Sequence, residues 1–357
     1  MTNAELLKTS LHASHLELKA KMSPFAGYDM PVQYTSVKEE VLSVRQNVGV
    51  FDVSHMGEFF VRGTDAVKFV DEMITNDFAS APVGKAVYSP LCRDNGTVID
   101  DLIAYKLAAD EVLICVNASN IAKDWNWISQ FAPQYNCKLT NESDDFSLLA
   151  LQGPKTVEIM QKLELLPKHD LEYYAALRFG NFILARTGYT GEDGFEIFGS
   201  HKEIKNLWTK LLELGVAPCG LAARDVLRLE VCYPLYGHEL NDEITPLDAG
   251  LKWTVKLQKP KFKGQAALVE AQPKFRLAKL MLEKAIPREG YAVLDSSGQT
   301  IGSVTSGTMS VSINKGIALA LIQKDQWPKD EKFFIQIRQN LWPAEYTSKA
   351  FYQGAHK

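Results

Sequence analysis

The chain has 357 residues, too many for one ordinary hydrophobic core, so two or three domains are expected. Its 46% hydrophobic and 23% charged residues are usual for a soluble globular protein, and 39 basic against 43 acidic side chains leave a net charge of −4 with no long-range pull on nucleic acid. No apolar run approaches the roughly 20 residues of a membrane helix, and Met1 to His15 lacks the cationic start and apolar block of a signal peptide.

In chain order, Glu58 to Arg62 reads as a strand. Thr64 then caps a helix whose apolar positions are Val67, Val70, Met73 and Ile74. Val98 to Leu107 and Val112 to Ala118 read as strands joined in a hairpin at Ala109–Glu111. Ala122 to Phe131 is helical. Ser147 to Gln152 is a short apolar run ended by Gly153-Pro154, and the proline suits the first turn of the next helix, with Val157, Met160 and Leu163 inward. Asn181 to Thr187 and Phe195 to Phe198 form a hairpin around Gly191–Gly194. His201 to Leu214 has the clearest helical spacing, at Ile204, Leu207, Trp208, Leu211 and Leu212. Leu221 to Val231 is a further helix.

After Lys252 the texture changes. Lys252, Lys256, Lys259, Lys261 and Lys263 precede a short helix at Gln265 to Glu270, and read as a solvated run that can steer an acidic partner. Beyond Phe275 come short strands with glycine turns: Leu277–Leu282, Tyr291–Leu294, Thr300–Ser306, Gly316–Ile322 and Phe333–Ile337. These predict a small β-barrel. The boundary is placed so that 1–274 is an α+β region and 275–357 the barrel.

Familiar motifs are missing. There is no GxxxxGK[ST], no GxGxxG and no HExxH. The five cysteines, Cys92, Cys115, Cys137, Cys219 and Cys232, are odd in number and lack a CxxC. Neither a disulfide framework nor a metal site is expected, and a reducing cytoplasm is the expected compartment. Asp52, Ser54 and His55 invite a hydrolase-triad reading, but side chains this close in sequence rarely converge as a triad needs.

What remains is polar residues set in apolar strands. Asp100 and Asp101 lie within a strand, where acids are unfavourable. Alternation puts Asp101 with Ile99, Ile103 and Tyr105, and Asp100 with Val98, Leu102 and Ala104. At least one carboxylate then sits among apolar groups and needs a partner or ligand. For Asp100 a structural role is read, and for Asp101 either role fits. Glu196, between Phe195 and Ile197, suits the paired N–H edge of a pterin or an arginine, or simply faces solvent. Arg224 and Arg228 stand one helical turn apart and can hold a carboxylate or phosphate; for Arg228 a surface pair with Asp225 or Glu230 is preferred.

Several short segments stand out together. They are Lys21-Met22 with Pro24–Gly27 and Met30-Pro31; Val44-Arg45; Val48 to Glu58, which contains Ser54-His55-Met56-Gly57-Glu58; Gly84 to Ser89; Asp100-Asp101; Thr187 to Glu192; Cys219 to Asp225; and Thr305-Ser306-Gly307. In this order they resemble the aminomethyltransferase (T-protein) family of the glycine cleavage system, along nearly the whole chain.

The resemblance implies a multi-domain cloverleaf around a central folate cavity, with a C-terminal antiparallel β-barrel. It implies transfer of a one-carbon unit from the lipoyl arm of H-protein to tetrahydrofolate, giving methylenetetrahydrofolate and ammonia. Asp101 matches the family's catalytic aspartate. Glu196 and Arg224 match folate-binding positions, and Met56, Tyr88, Ile103, Tyr105, Asn117 and Tyr189 match positions lining the cavity. Asp100 is left as a structural residue that does not cooperate with Asp101. Partners implied are H-protein and folate, with no nucleic acid and no membrane. Two other readings stay open: another tetrahydrofolate-dependent demethylase of the superfamily, and a non-catalytic folate-binding protein, whose Lys-Gly-Cys-Tyr motif this chain lacks. The chain departs from the family pattern at Lys19, usually glycine, at Tyr28, usually tryptophan, and at Val311 and Ala350, usually proline.

Overall fold

The computed structural model describes residues 5–166 and 171–354. Residues 1–4, at the start of the stretch read for a leader, lie outside the described residues.

Two sheets dominate the first three-quarters of the chain. One is six-stranded, in the order Ala176–Phe179, Phe182–Ala185, Gly194–Ser200, Phe146–Gln152, Gly49–Asp52 and Ala217–Pro218. The other is five-stranded, in the order Ala86–Cys92, Val98–Ala108, Glu111–Val116, Gly57–Arg62 and Lys138–Asn141. Gly49–Asp52 and Gly57–Arg62 are neighbours in sequence but belong to different sheets. The chain crosses between sheets at 53–56, which carries Met56 against the cluster between them and His55 against Phe25 and Tyr28.

The inner faces of the sheets meet in one apolar cluster. Phe51, Leu148, Ala185 and Phe198 come from the six-stranded sheet, and Phe60, Tyr105, Leu113 and Cys115 from the five-stranded one. Helix Ala66–Met73 covers the outer face of the five-stranded sheet with Phe69, Val70 and Met73. Helix His201–Glu213 covers that of the six-stranded sheet with Ile204, Leu207, Trp208 and Leu211. Its start is fixed by Ser200, whose hydroxyl accepts the Glu203 N–H. Thr64 does not act as the expected cap. Its hydroxyl accepts Asn136 Nδ2 at 2.7 Å, and Asp65 takes the N-cap position without a side-chain bond to the helix. A partner 72 residues away has taken over the local capping group.

Six antiparallel strands close a barrel: Phe275–Leu282, Gly316–Gln323, Thr300–Met309, Ala292–Leu294, Phe333–Ile337 and Asn340–Tyr346. Its interior is lined by Leu280, Val293, Ile301, Ala320, Phe333 and Ile335. The fold is thus α+β with a closed C-terminal antiparallel barrel. Among the described residues no helix is long and apolar enough to cross a membrane.

Helix Leu221–Glu230 connects the parts. A Cβ on Gly220, just before it, would lie 2.2 Å from the Val32 carbonyl carbon, so only glycine lets the hairpin of Lys21–Phe25 and Tyr28–Gln33 approach this closely. The Gly220 N–H donates to Glu40 Oε2 at 2.8 Å. The buried face of the helix carries Ala223, Val226 and Leu227 into the cluster between the sheets, and Arg224 projects beside them.

Candidate active site

The strand Val98–Ala108 carries both acids, but not with uniform alternation. Leu91 pairs with Asp100 and Cys92 with Val98, so Ile99 is an extra, bulged residue. The bulge resets the pleat. Ile99 packs outward with Leu102 and Ala104, while Ile103 and Tyr105 face the space between the sheets. The expectation that Ile99 shares a face with Asp101 is therefore corrected.

Asp101 is partly exposed, whereas Asp100 is fully buried. Tyr88 OH donates to Asp101 Oδ2 at 2.9 Å, and Asn117 Nδ2 donates to Asp101 Oδ1 at 2.9 Å. The same Nδ2 lies 2.8 Å from Asp100 Oδ1, and the Asn117 N–H donates to Asp100 Oδ2 at 3.0 Å. One amide thus bridges the two acids. Burial, and then the negative charge of Asp100, push the Asp101 carboxyl up to about 7, against the lowering effect of the Tyr88 and Asn117 donors. The acids are electrostatically coupled, which corrects the expectation that they do not cooperate. A carboxyl poised near neutrality can both accept and give a proton. Tyr88 stays protonated, because burial and the Asp101 charge raise its phenol well above the ordinary range. Its ring stacks on Trp253 at 6.0 Å between centroids, and Trp253 is 59% exposed.

Glu196 lies on the inner face of the strand Gly194–Ser200 and is only 8% exposed, which removes the solvent-facing alternative. Its Oε2 accepts Thr187 Oγ1 at 2.5 Å and Tyr105 OH at 3.2 Å. The Arg224 guanidinium lies 4.9 Å from the Tyr189 ring centroid, and its Nη1 is buried with no hydrogen-bond partner among the described residues. Burial lowers the Arg224 pKa, and the Glu196 charge opposes this. Tyr189 OH donates to the Pro234 carbonyl. Burial raises the Tyr189 phenol, which also feels the charges of Arg228, Asp101 and Arg224. Met56 and Ile103, both partly buried, pack against the cluster between the sheets. The nine side chains singled out in the sequence thus fall into one neighbourhood: a carboxyl between two donors, a second carboxylate, a guanidinium on an aromatic ring, and an apolar wall.

Two further residues, Glu58 and His55, belong to this neighbourhood and are not among those nine. Glu58 is 1% exposed, and among the described residues neither of its oxygens has a hydrogen-bond partner, so burial raises its carboxyl well above the ordinary range. Its signal was an acid in the apolar strand Gly57–Arg62, the same signal that marked Asp101. His55, 3% exposed, is pushed down to about 4, chiefly by burial, with Arg224 adding to the effect and Asp52 opposing it. It is a neutral imidazole set edge-on to Phe25 at 5.5 Å. It forms no triad: Asp52 Oδ2 accepts instead from Thr9 Oγ1 at 2.7 Å and from His15 Nε2 at 2.8 Å.

Arg228 is not at the surface. It is 1% exposed and donates to Asp225 at 2.9 Å, Glu239 at 3.0 Å and Ser306 Oγ at 2.8 Å, the last across to the barrel. The lysine run is also less open than expected. Lys259 is 7% exposed, and its Nζ donates to the carbonyls of Asp71, Ile74 and Asn76. Lys261 pairs with Glu72 at 2.8 Å, and the Lys263 ammonium sits 3.5 Å from the Phe131 ring centroid.

An α+β body and a closed antiparallel barrel thus carry a buried site of carboxyls, phenols and a guanidinium, the make-up of a protein that binds a polar small molecule. Residues 11–259 match the GCVT N-terminal domain, and residues 276–353 the glycine cleavage T-protein C-terminal barrel domain. The chain is 45% identical to an aminomethyltransferase of Thermosipho melanesiensis, with 98% of each chain covered. It is 46% identical to one of Deinococcus deserti, covering 98% of this chain and 97% of that one. The crystal structure of glycine cleavage system aminomethyltransferase T from Bartonella henselae superposes with a TM-score of 0.93 at 31% identity, covering 98% of this chain and 99% of that one. The chain belongs to the glycine cleavage T-protein family, and its activity is that of an aminomethyltransferase.

Proposed function

We propose that the site moves the one-carbon unit of an aminomethylated dihydrolipoyl arm, carried by H-protein, to tetrahydrofolate. The observation that carries this reading is the Asp101 carboxyl, held between Tyr88 OH and Asn117 Nδ2 with its ionisation brought near neutrality. A folate nitrogen attacks the aminomethyl carbon. The bonds from that carbon to nitrogen and to sulfur break, and two bonds to folate nitrogens form. The two N–H protons lost by folate leave on ammonia and on the dihydrolipoyl thiol, so atoms balance. Asp101 is the catalytic residue that orients these groups and relays a proton. Glu196, whose Oε2 is held by Thr187 and Tyr105, meets the donor edge of the pterin, and Arg224 Nη1 donates to a folate acceptor. Tyr88, Tyr105, Asn117 and Tyr189 place polar rims, while Met56 and Ile103 supply apolar contact. We place folate binding in 1–274, treat 275–357 as the barrel domain, and expect the enzyme to work in the cytoplasm.

The test is methylenetetrahydrofolate and ammonia formation from aminomethylated H-protein. Asp101→Asn is expected to lose turnover by about 10²-fold or more with folate binding largely retained. Unchanged turnover removes Asp101 from the chemistry. A native protein inactive on this donor but active on a methoxy aromatic favours a demethylase of the same superfamily.

A further inference from the structure

Helix Ile121–Ile128 packs on the strand Val98–Ala108 and brings Asp124 against Asp100. Both side chains are fully buried. Asp100 is well supplied with donors: the Asn117 N–H at 3.0 Å, Asn117 Nδ2 at 2.8 Å and Asn120 Nδ2 at 2.6 Å. Asp124 is not. Among the described residues no N–H or O–H group of a neighbour reaches either of its oxygens, and the side chain it meets is the Asp100 carboxyl.

Two buried carboxyls in contact cannot both ionise, so a proton lies between them. The three N–H groups stabilise the anion on Asp100. The proton therefore belongs to Asp124, whose O–H donates to Asp100. Burial, and then the Asp100 charge, hold the Asp124 carboxyl well above its ordinary range, with Lys123 opposing and Asp101 adding to the effect. Other titratable groups facing this corner are Cys115, whose thiol burial pushes well above its ordinary range with the Asp100 charge adding to the effect, and Tyr236, whose OH donates to Asp242 at 2.8 Å while its oxygen accepts Lys123 Nζ at 2.6 Å.

We propose that Asp124 is a positioning residue of the transfer reaction, donating its proton to Asp100 and thereby fixing how Asn117 divides its amide hydrogens between Asp100 and Asp101. Asn117 Nδ2 has two hydrogens and three acceptors: Asp100 Oδ1 at 2.8 Å, Asp101 Oδ1 at 2.9 Å and the Asp101 carbonyl at 3.0 Å. An Asp100 bearing its full charge pulls those hydrogens to itself and repels charge on Asp101. An Asp100 that already shares the Asp124 proton leaves a hydrogen for Asp101. The effect on catalysis rests on the reading of Asp101 as the catalytic acid.

The experiment compares native protein, Asp124→Asn and Asp124→Ala. An asparagine amide donates to Asp100 as the protonated acid does, whereas alanine does not. The pH profile of kcat/KM for folate is expected to be native-like in Asp124→Asn. In Asp124→Ala the ionisation near 7 moves up by about one pH unit, and kcat falls several-fold with little change in KM. An Asp124→Ala profile that overlays the native one, or an Asp124→Asn profile displaced as far as that of alanine, overturns the proposal. Infrared difference spectra of native protein against Asp124→Asn at pH 7 test the proton without turnover: a protonated-carboxyl C=O band must disappear, and its persistence also overturns the proposal. If instead Asp101→Asn keeps its turnover while that band is lost, the reading of Asp101 fails and the shared proton stands.

Discussion

Asp101 shows how one residue trades stability for chemistry. An acid whose folded-state pKa is raised binds its proton more tightly in the folded chain than in the unfolded one. Between its ordinary value near 3.8 and about 7, the folded state holds the extra proton, so stability falls as pH rises through that window and stays reduced above it. Asp101→Asn removes this dependence. The variant is expected to unfold at a higher temperature than native protein at pH 8, with the difference vanishing near pH 4. Equal melting curves at pH 8 would mean that Asp101 is not strained by its surroundings. Glu58 has the same sign of effect by burial alone, since among the described residues no donor reaches its carboxyl. The two acids were not equally visible in the sequence. Asp101 came with a neighbouring acid in an apolar strand, and Glu58 stood alone beside Phe59 and Phe60. What no local pattern carries is the coupling of Asp101 to Asp100, because it runs through Asn117, 16 residues away and just past the end of the next strand, Glu111–Val116.

At the scale of elements, the helix His12–Glu17 ends in a turn that wants glycine. Lys19 has φ +57°, its N–H donates to the Leu16 carbonyl at 3.0 Å, and the Ala20 N–H donates to the His15 carbonyl at 3.0 Å. This pair of bonds around a left-handed residue is the Schellman motif. A side chain pays for that conformation, which glycine adopts freely. Lys19→Gly is expected to stabilise the protein by about 0.5–1 kcal/mol, the left-handed strain relieved being partly offset by greater freedom in the unfolded chain. Denaturant unfolding measures it, and a loss of stability would show that the lysine side chain makes compensating contacts. Periodicity found most helices and five of the six barrel strands. It missed Asn340–Tyr346, where Pro343 interrupts the strand pattern; the strand pairs there with Phe333–Ile337, and its register with Phe275–Leu282 runs through Leu280 and Met281. It also misplaced Ile99, because a bulge adds a residue without changing composition. The lysine run misled for a related reason: Lys259 finds three carbonyl partners from a segment more than 180 residues away, and charge counting along the chain does not register them.

At the scale of the molecule, body and barrel are joined through buried charge. Glu230, at the end of helix Leu221–Glu230, is fully buried and accepts Arg45 Nε at 3.1 Å and Nη2 at 2.8 Å from the body. From the barrel side it accepts Ser310 Oγ at 2.7 Å, the Ser312 N–H at 2.9 Å and Ser312 Oγ at 2.7 Å. Arg45 Nη1 reaches Glu192 at 2.9 Å and the Thr190 carbonyl at 2.7 Å, which ties down the loop carrying Tyr189. The Tyr352 ring lies 4.1 Å from the same guanidinium, so the end of the barrel domain folds over it. Removing one partner of such a group leaves the other charge stranded in low dielectric. Arg45→Met is expected to cost about 3–5 kcal/mol, read by denaturant unfolding, and to split a single transition into two as the barrel separates from the body. Arg45→Lys keeps the charge but loses the paired geometry, and should fall between. The double variant Arg45→Met with Glu230→Gln recovers part of the loss, because the stranded charge is then gone. If the double variant is as unstable as the sum of the two single changes, the network contributes by packing, and the barrel is held by its apolar contacts with Leu229, Ile317, Leu319 and Phe351 instead.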